Sequence, residues 1–340
     1  MSRQNNRKHE TDVPLVQITT PLGKSDATAP RRILVFGAGV LGSLYAAWLH
    51  EAGFNVTLLA RGQRFRDLVQ HGVVLEDFFT GARSTTRLRV VDEIPGNEQF
   101  DLCLVLVQKT QLDGALQQLA DQPGIAAFLF MNNTAEGPEA MVQALGRNRV
   151  LMGHANAGGE RRGHEVLYIV TERMTFGELD GTISPRIKAI AAVMRKAGFA
   201  ADISRNVDAW KRYHVALAVP FALAMYRNHS DRLQLAGNRA ELRLCLKAMR
   251  ECFAALNALG FPMEPARLRL VFLLPDVLLA WLFRLMLRTK TADIGMERHL
   301  RNATDEMQAL TDEMQALIDR AGVDTPALDA LRQSGSAARA

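Results

Sequence analysis

Apolar positions change their rhythm along the chain. Ile33 to Phe36 is a short unbroken apolar run, suited to a parallel strand covered on both faces. A helical pattern follows to about Ala52, and Asn55 to Ala60 reads as a second strand, completing a βαβ unit. Further apolar runs at about 87–91, 101–107 and 126–131 predict strands, and a helix is expected from about Pro185 to Ala197. Later segments around VLMGHANAGG and LYIVTERMTFGELDG should extend the same doubly wound sheet.

From about Asp208 the strand patterns vanish. AWKRYHVALAVPFALAMY is apolar almost all round, as in a buried helix, and ELRLCLKAMRECFAALNALG stops at Gly260. A last long helix is expected from about Met296 to Ala321. It contains TDEMQALTDEMQAL, where Met307, Leu310, Met314 and Leu317 form an apolar seam. Two heptads are too few for a coiled coil, so the seam should pack on the helical domain itself. Glu306 and Glu313 share one face of that helix. Periodicity does not choose between them, and both suit a surface.

These patterns divide the chain into a disordered extension over 1–30, a nucleotide-binding domain over 31–205 and a helical substrate or dimerisation domain over 206–335. The fold class is α/β: a Rossmann-type doubly wound sheet followed by an all-α domain. The stretch 268–288 is strongly apolar, but it contains Pro275, Asp276 and Arg284. Each central charge would cost about 2.5–3.5 kcal/mol in a bilayer. Two buried or interface helices broken at Pro275 are expected instead, and the region could serve as a homodimer surface.

Composition narrows the function little. Hydrophobic residues make up 48% and charged residues 23%, and the net charge is +5. With four tyrosines and scattered arginines there is no basic-aromatic stripe for nucleic acid. Cys103, Cys245 and Cys252 lack metal spacing and read as buried thiols in a reducing compartment. No signal-peptide core precedes the first strand, so a cytoplasmic protein is expected.

The chemistry starts at Gly37-Ala38-Gly39-Val40-Leu41-Gly42, in G-x-G-x-x-G register between a strand and a helix. Gly37 permits a tight turn, Gly39 lets the backbone approach a pyrophosphate, and Gly42 allows close helix–strand packing. The second strand ends in Ala60 and Arg61, where NAD-binding proteins usually carry an acid. A guanidinium there suits a 2′-phosphate, so NADPH is favoured over NADH. Arg64 and Arg66 follow close behind, with a solvated helix face as the alternative for both, and Arg61 is the stronger candidate. Gln108–Lys109 and Asn132–Asn133 stand just past two strand ends, where cofactor and substrate should meet.

GAGVLG with LLARGQRF, MGHANAGGERRGHEVLY with FGELDG, DAWKRYHVALAVPFAL, and DEMQALTDEMQALIDRAGVDTP occur in an order that resembles the ketopantoate reductase (2-dehydropantoate 2-reductase) family over residues 31–335. The resemblance implies a second domain of the 6-phosphogluconate dehydrogenase C-terminal-like type. It also implies NADPH-dependent reduction of a small 2-keto acid. Lys211 would be the general acid, Glu306 the substrate-binding carboxylate and Arg61 the 2′-phosphate arginine. Glu313 falls where the family places no functional residue.

The chain also departs from the family pattern. Val215 and Val219 stand where substrate-binding asparagines are expected, and Ile294 where a serine is expected. The family's cofactor-side lysine aligns with Gln108, one place before Lys109, and its asparagine could be either Asn132 or Asn133. These replacements suggest a larger, more apolar carbonyl substrate, with His214 as a candidate replacement polar group. A non-catalytic NADPH-binding or sensing protein is the alternative.

Overall fold

The computed structural model describes residues 29–337 except Glu172, so most of the extension expected over 1–30 lies outside the described residues. Twelve strands appear in chain order: β1 (Arg32–Phe36), β2 (Asn55–Leu59), β3 (Val73–Asp77), β4 (Arg83–Thr86), β5 (Arg89–Val91), β6 (Leu102–Val105), β7 (Phe128–Phe130), β8 (Val150–His154), β9 (Ala157–Arg162), β10 (Glu165–Val170), β11 (Met174–Glu178) and β12 (Ala201–Ile203).

The main sheet runs β12-β11-β8-β7-β6-β1-β2-β5. Its six strands from β8 to β5 are parallel, and β11 pairs antiparallel with β8. The chain leaves β1 for β2 on one side and returns to β6 on the other, which opens a crevice at the carboxyl ends of β1 and β6. Separate apolar layers cover the two faces, which is why the strands read as unbroken apolar runs.

The later strands do not all extend this sheet, as the sequence suggested. β9 and β10 instead join β3 and β4 in a second sheet of order β4-β3-β10-β9. β4 is polar throughout, and β3 and β9 end in charged residues, as suits a small sheet with one solvated face.

The second domain is helical from Val207. Its longest helix, Val207–Arg227, packs on Arg239–Ala258 and Thr304–Ala321, and the seam Met307, Leu310, Met314 and Leu317 is buried among them. The last long helix does not run unbroken from Met296. A π-helical turn over Asp293–Glu297 and a short helix Arg298–Asn302 precede a break at Ala303, and Thr304–Ala321 follows. The break puts Asp305 and Glu306 in the first turn of the new helix, where acidic side chains oppose its dipole favourably.

Helices Arg267–Phe272 and Asp276–Leu287 flank Pro275 as expected. They are not buried, however: Leu270, Leu273, Val277 and Trp281 are among several large apolar side chains that face outward. Among the described residues no helix is long and apolar enough to cross a membrane. Cys103, Cys245 and Cys252 are buried free thiols.

Candidate active site

A cleft of about 1490 Å³ lies between the glycine turn and the helical domain. Its first wall is the turn itself. Gly37 has φ +105°, and a Cβ there would lie 2.7 Å from the Leu106 carbonyl oxygen. A Cβ on Gly42 would come within 1.7 Å of the Gly37 oxygen, whereas one on Gly39 would meet only open space. The turn is therefore held tight at Gly37 and Gly42 and left open at Gly39, as a pyrophosphate cradle requires. Helix Val40–Glu51 starts here without a side-chain cap, leaving its first N–H groups for an anion.

The two arginines after β2 have different surroundings. Arg61 is exposed at the cleft rim, and its guanidinium bonds the Gln118 side chain. Arg64 is buried, not solvated as the helical pattern implied. Its guanidinium donates to the Ala38 carbonyl at 3.1 Å, the His164 carbonyl at 2.8 Å and Ser43 Oγ at 2.8 Å, bracing the glycine turn from behind. Arg66 is exposed and bonds Gln63.

At the strand ends, Gln108, Asn132 and Asn133 all line the cleft. Asn132 Oδ1 is a buried acceptor without a hydrogen-bond partner, a position that suits an amide donor such as a carboxamide. Lys109 does not present its ammonium to the cleft. Its Nζ lies 2.6 Å from Glu136 and 2.5 Å from Glu313, while its backbone N–H donates to Glu306 at 3.3 Å.

The helical domain supplies the opposite wall. Lys211 does not itself line the cleft, as the resemblance implied it should: it is buried behind Asn132, donating from Nζ to the Asn132 carbonyl at 2.5 Å and the Gly153 carbonyl at 3.1 Å. Burial pushes its ammonium down to about 7. Glu306 lines the cleft, and burial raises its carboxyl, opposed by His299, the Lys109 N–H and the Asn133 side chain. His214 also lines the cleft, with its pKa lowered to about 4 by burial and then by Lys211, so it is a neutral imidazole at pH 7. It stacks on Trp210, and His154 tilts against both rings at 4.1 and 4.9 Å.

Val215 and Val219 are fully buried in the helical core, and Ile294 packs on Leu167 and Ile169 of the small sheet. These three residues therefore do not shape the cleft as the sequence suggested. From the same helix, Leu217 and Phe221 face it, joined by Met249, Phe283, Met286 and Met296. The wall is apolar, but through residues that the motif comparison did not single out.

Sequence reasoning also missed His154, His299 and Glu313. A lone histidine carries no local signal, and Glu313 repeats the surroundings of Glu306 letter for letter. Among the described residues no cluster suits a metal ion.

Residues 33–181 match the family model described as ketopantoate reductase PanE/ApbA. Over that stretch, less than half of the chain, the protein is similar to the ketopantoate reductase family. It is 26% identical to the 2-dehydropantoate 2-reductase of Archaeoglobus fulgidus over 179 residues, 52% of this chain and 58% of that protein. The corresponding enzyme of Lactococcus lactis is 26% identical over 188 residues, 52% of this chain and 57% of that one. The aligned stretch thus spans little more than half of these relatives.

Among solved structures, the 2-dehydropantoate 2-reductase of Geobacter metallireducens superposes with a TM-score of 0.74 at 20% identity, covering 90% of this chain and 99% of that one. A D-mandelate dehydrogenase in ternary complex with NADH and anilino(oxo)acetate gives 0.73 at 16% identity, covering 90% and 97%. At these identities the superpositions establish a shared fold: a parallel-sheet domain followed by a helical one.

Proposed function

We propose that the protein is an NADPH-dependent reductase of a 2-keto acid or related carbonyl compound, larger and more apolar than ketopantoate. The observation that carries this reading is the glycine turn opening into the same cleft as Asn132 and Glu306, with the Lys211 ammonium buried directly behind Asn132.

The nucleotide half of the cleft fits the cofactor. Gly39 leaves room for the pyrophosphate, Arg61 at the rim suits a 2′-phosphate, and Asn132 Oδ1 is free to accept from the carboxamide. NADPH bound there would supply the hydride for the carbonyl carbon. Lys211, buried behind Asn132 and not itself lining the cleft, would have to reach the developing alkoxide to stabilise it and give it a proton. Two of its three N–H groups bind the Asn132 and Gly153 carbonyls, and the third is uncommitted. A pKa near neutrality favours such a transfer.

Glu306 accepts a hydrogen bond from a substrate hydroxyl or orients the lysine. His214, neutral and stacked on Trp210, offers a further polar contact without adding charge. Phe221, Met249, Phe283 and Met286 provide an apolar wall, which favours a bulky substrate body. A D-mandelate dehydrogenase of similar fold is complexed with NADH and anilino(oxo)acetate, which supports the reading of a bulky 2-keto substrate.

The test follows NADPH absorbance over 2-keto acids of increasing apolar side-chain size, with ketopantoate as the small polar member. Turnover should rise with apolar bulk. If NADPH binds but no carbonyl compound oxidises it, the sensing alternative replaces the reductase.

A further inference from the structure

The helical domain grips one loop of the nucleotide-binding domain from two sides. Residues 132–136 follow β7 and begin with the paired asparagines. The Ala135 and Glu136 N–H groups donate to Glu313 Oε2 at 2.5 and 3.3 Å, and the Thr134 hydroxyl donates at 3.2 Å. Carbonyls of the same loop accept from helix Val207–Arg227. Lys211 Nζ binds the Asn132 oxygen at 2.5 Å, and Arg212 binds the oxygens of Ala135 and, at 2.9 Å, Glu136. Lys109, just after β6, is drawn to the same carboxylate at 2.5 Å.

The Glu313 side chain is only 4% exposed. A buried carboxylate needs donors to offset its desolvation, and an apolar side chain of similar volume would often stabilise a core as well or better. What four converging donors give instead is directional: they set the loop at one height and one angle. Two neighbouring cationic residues, Lys211 and Arg212, complete the clasp from the other side.

We propose that Glu313 is a positioning residue. Through residues 132–136 it fixes where Asn132 meets the Lys211 ammonium, and through Lys109 it fixes the peptide N–H that binds Glu306. The kinetic consequence rests on the reductase reading, whereas the geometric one does not.

The experiment uses the full chain with NADPH and the near-isosteric Glu313→Gln, with Lys109→Met as a second variant should the first fold poorly. Amide exchange over 132–136 should quicken by about tenfold or more while that of 37–42 stays unchanged. NADPH affinity should hold within about threefold, and kcat should fall by roughly tenfold to a hundredfold with a smaller change in KM. The double variant Lys109→Met/Glu313→Gln should lose no more than Glu313→Gln alone, since both act through one clasp.

The deprotonation of Lys211, read by NMR of lysine labelled at Cε, should move to lower pH in Glu313→Gln. Glu313 and Asp208 favour its charged form, while Lys109 and burial oppose it. Faster exchange with unchanged kcat would make Glu313 a structural clasp and overturn the proposal, as would a fall in kcat with unchanged exchange. If the wild-type protein reduces no carbonyl compound, the reductase reading fails alone. The exchange and Lys211 titration then decide, and wild-type behaviour in both sinks the positioning role.

Discussion

Lys109 is held at both ends by one duplicated heptad: its backbone N–H lies 3.3 Å from Glu306 Oε1, and its Nζ lies 2.5 Å from Glu313 Oε1. Two identical heptads thus do different things. Glu306, in the first turn of its helix, reaches the cleft, whereas Glu313, two turns deeper, meets the loops beneath it.

Glu306 should cost the fold some stability at neutral pH. Burial raises its carboxyl above the ordinary 4.5, so its favourable contribution is full below that pH and is lost as pH rises through the folded value. Glu306→Gln should therefore melt no lower than the wild type at pH 7, and its relative advantage should shrink toward pH 4. Losing a charged hydrogen bond of about 1.5–3 kcal/mol should lower kcat/KM roughly ten- to a hundredfold. Thermal melts from pH 4 to 8 check the first part and steady-state kinetics the second.

Lys211 sets a second pH dependence, of opposite sign. Its folded pKa of about 7 lies below the ordinary 10.5, so between these values the folded state binds fewer protons than the unfolded chain. This group's contribution to stability then rises with pH across that window and is lost as pH falls through about 7. If Lys211 is the proton donor proposed above, carbonyl reduction should fall as pH climbs past about 7, where its ammonium is lost. Lys211→Met should reduce turnover about 10²–10⁴-fold while leaving NADPH binding within about threefold. A pH–rate profile and a fluorescence titration give both readings.

Arg61 and Arg64 should separate cleanly on substitution. Arg61→Ala removes an exposed rim cation, so NADPH affinity should drop by about tenfold or more while NADH affinity and melting temperature barely change. Arg64→Ala takes a buried donor from the Ser43 hydroxyl and leaves the Ala38 carbonyl only the 3.4 Å bond from Ser43 Oγ, which should cost about 1–3 kcal/mol of stability. It should weaken both dinucleotides alike. Paired titrations with NADPH and NADH, beside denaturant melts, distinguish the two outcomes.

Local pattern alone determined the βαβ unit, the glycine turn, the change from strands to helices and the apolar seam of the last long helix. Each depends on residues within a few positions of one another, through chain geometry and alternation. Periodicity left both glutamates open and only the motif spacing favoured Glu306, whereas tertiary structure decided what Glu313 binds, which arginine braces the turn, and that Val215 and Val219 belong to the core. It also drew β9 and β10 into a sheet of their own and broke the last long helix at Ala303. These outcomes depend on where a side chain's partners lie after folding. Glu306 and Glu313 have the same neighbours in sequence, and only the loops brought against them by the other domain give them different partners.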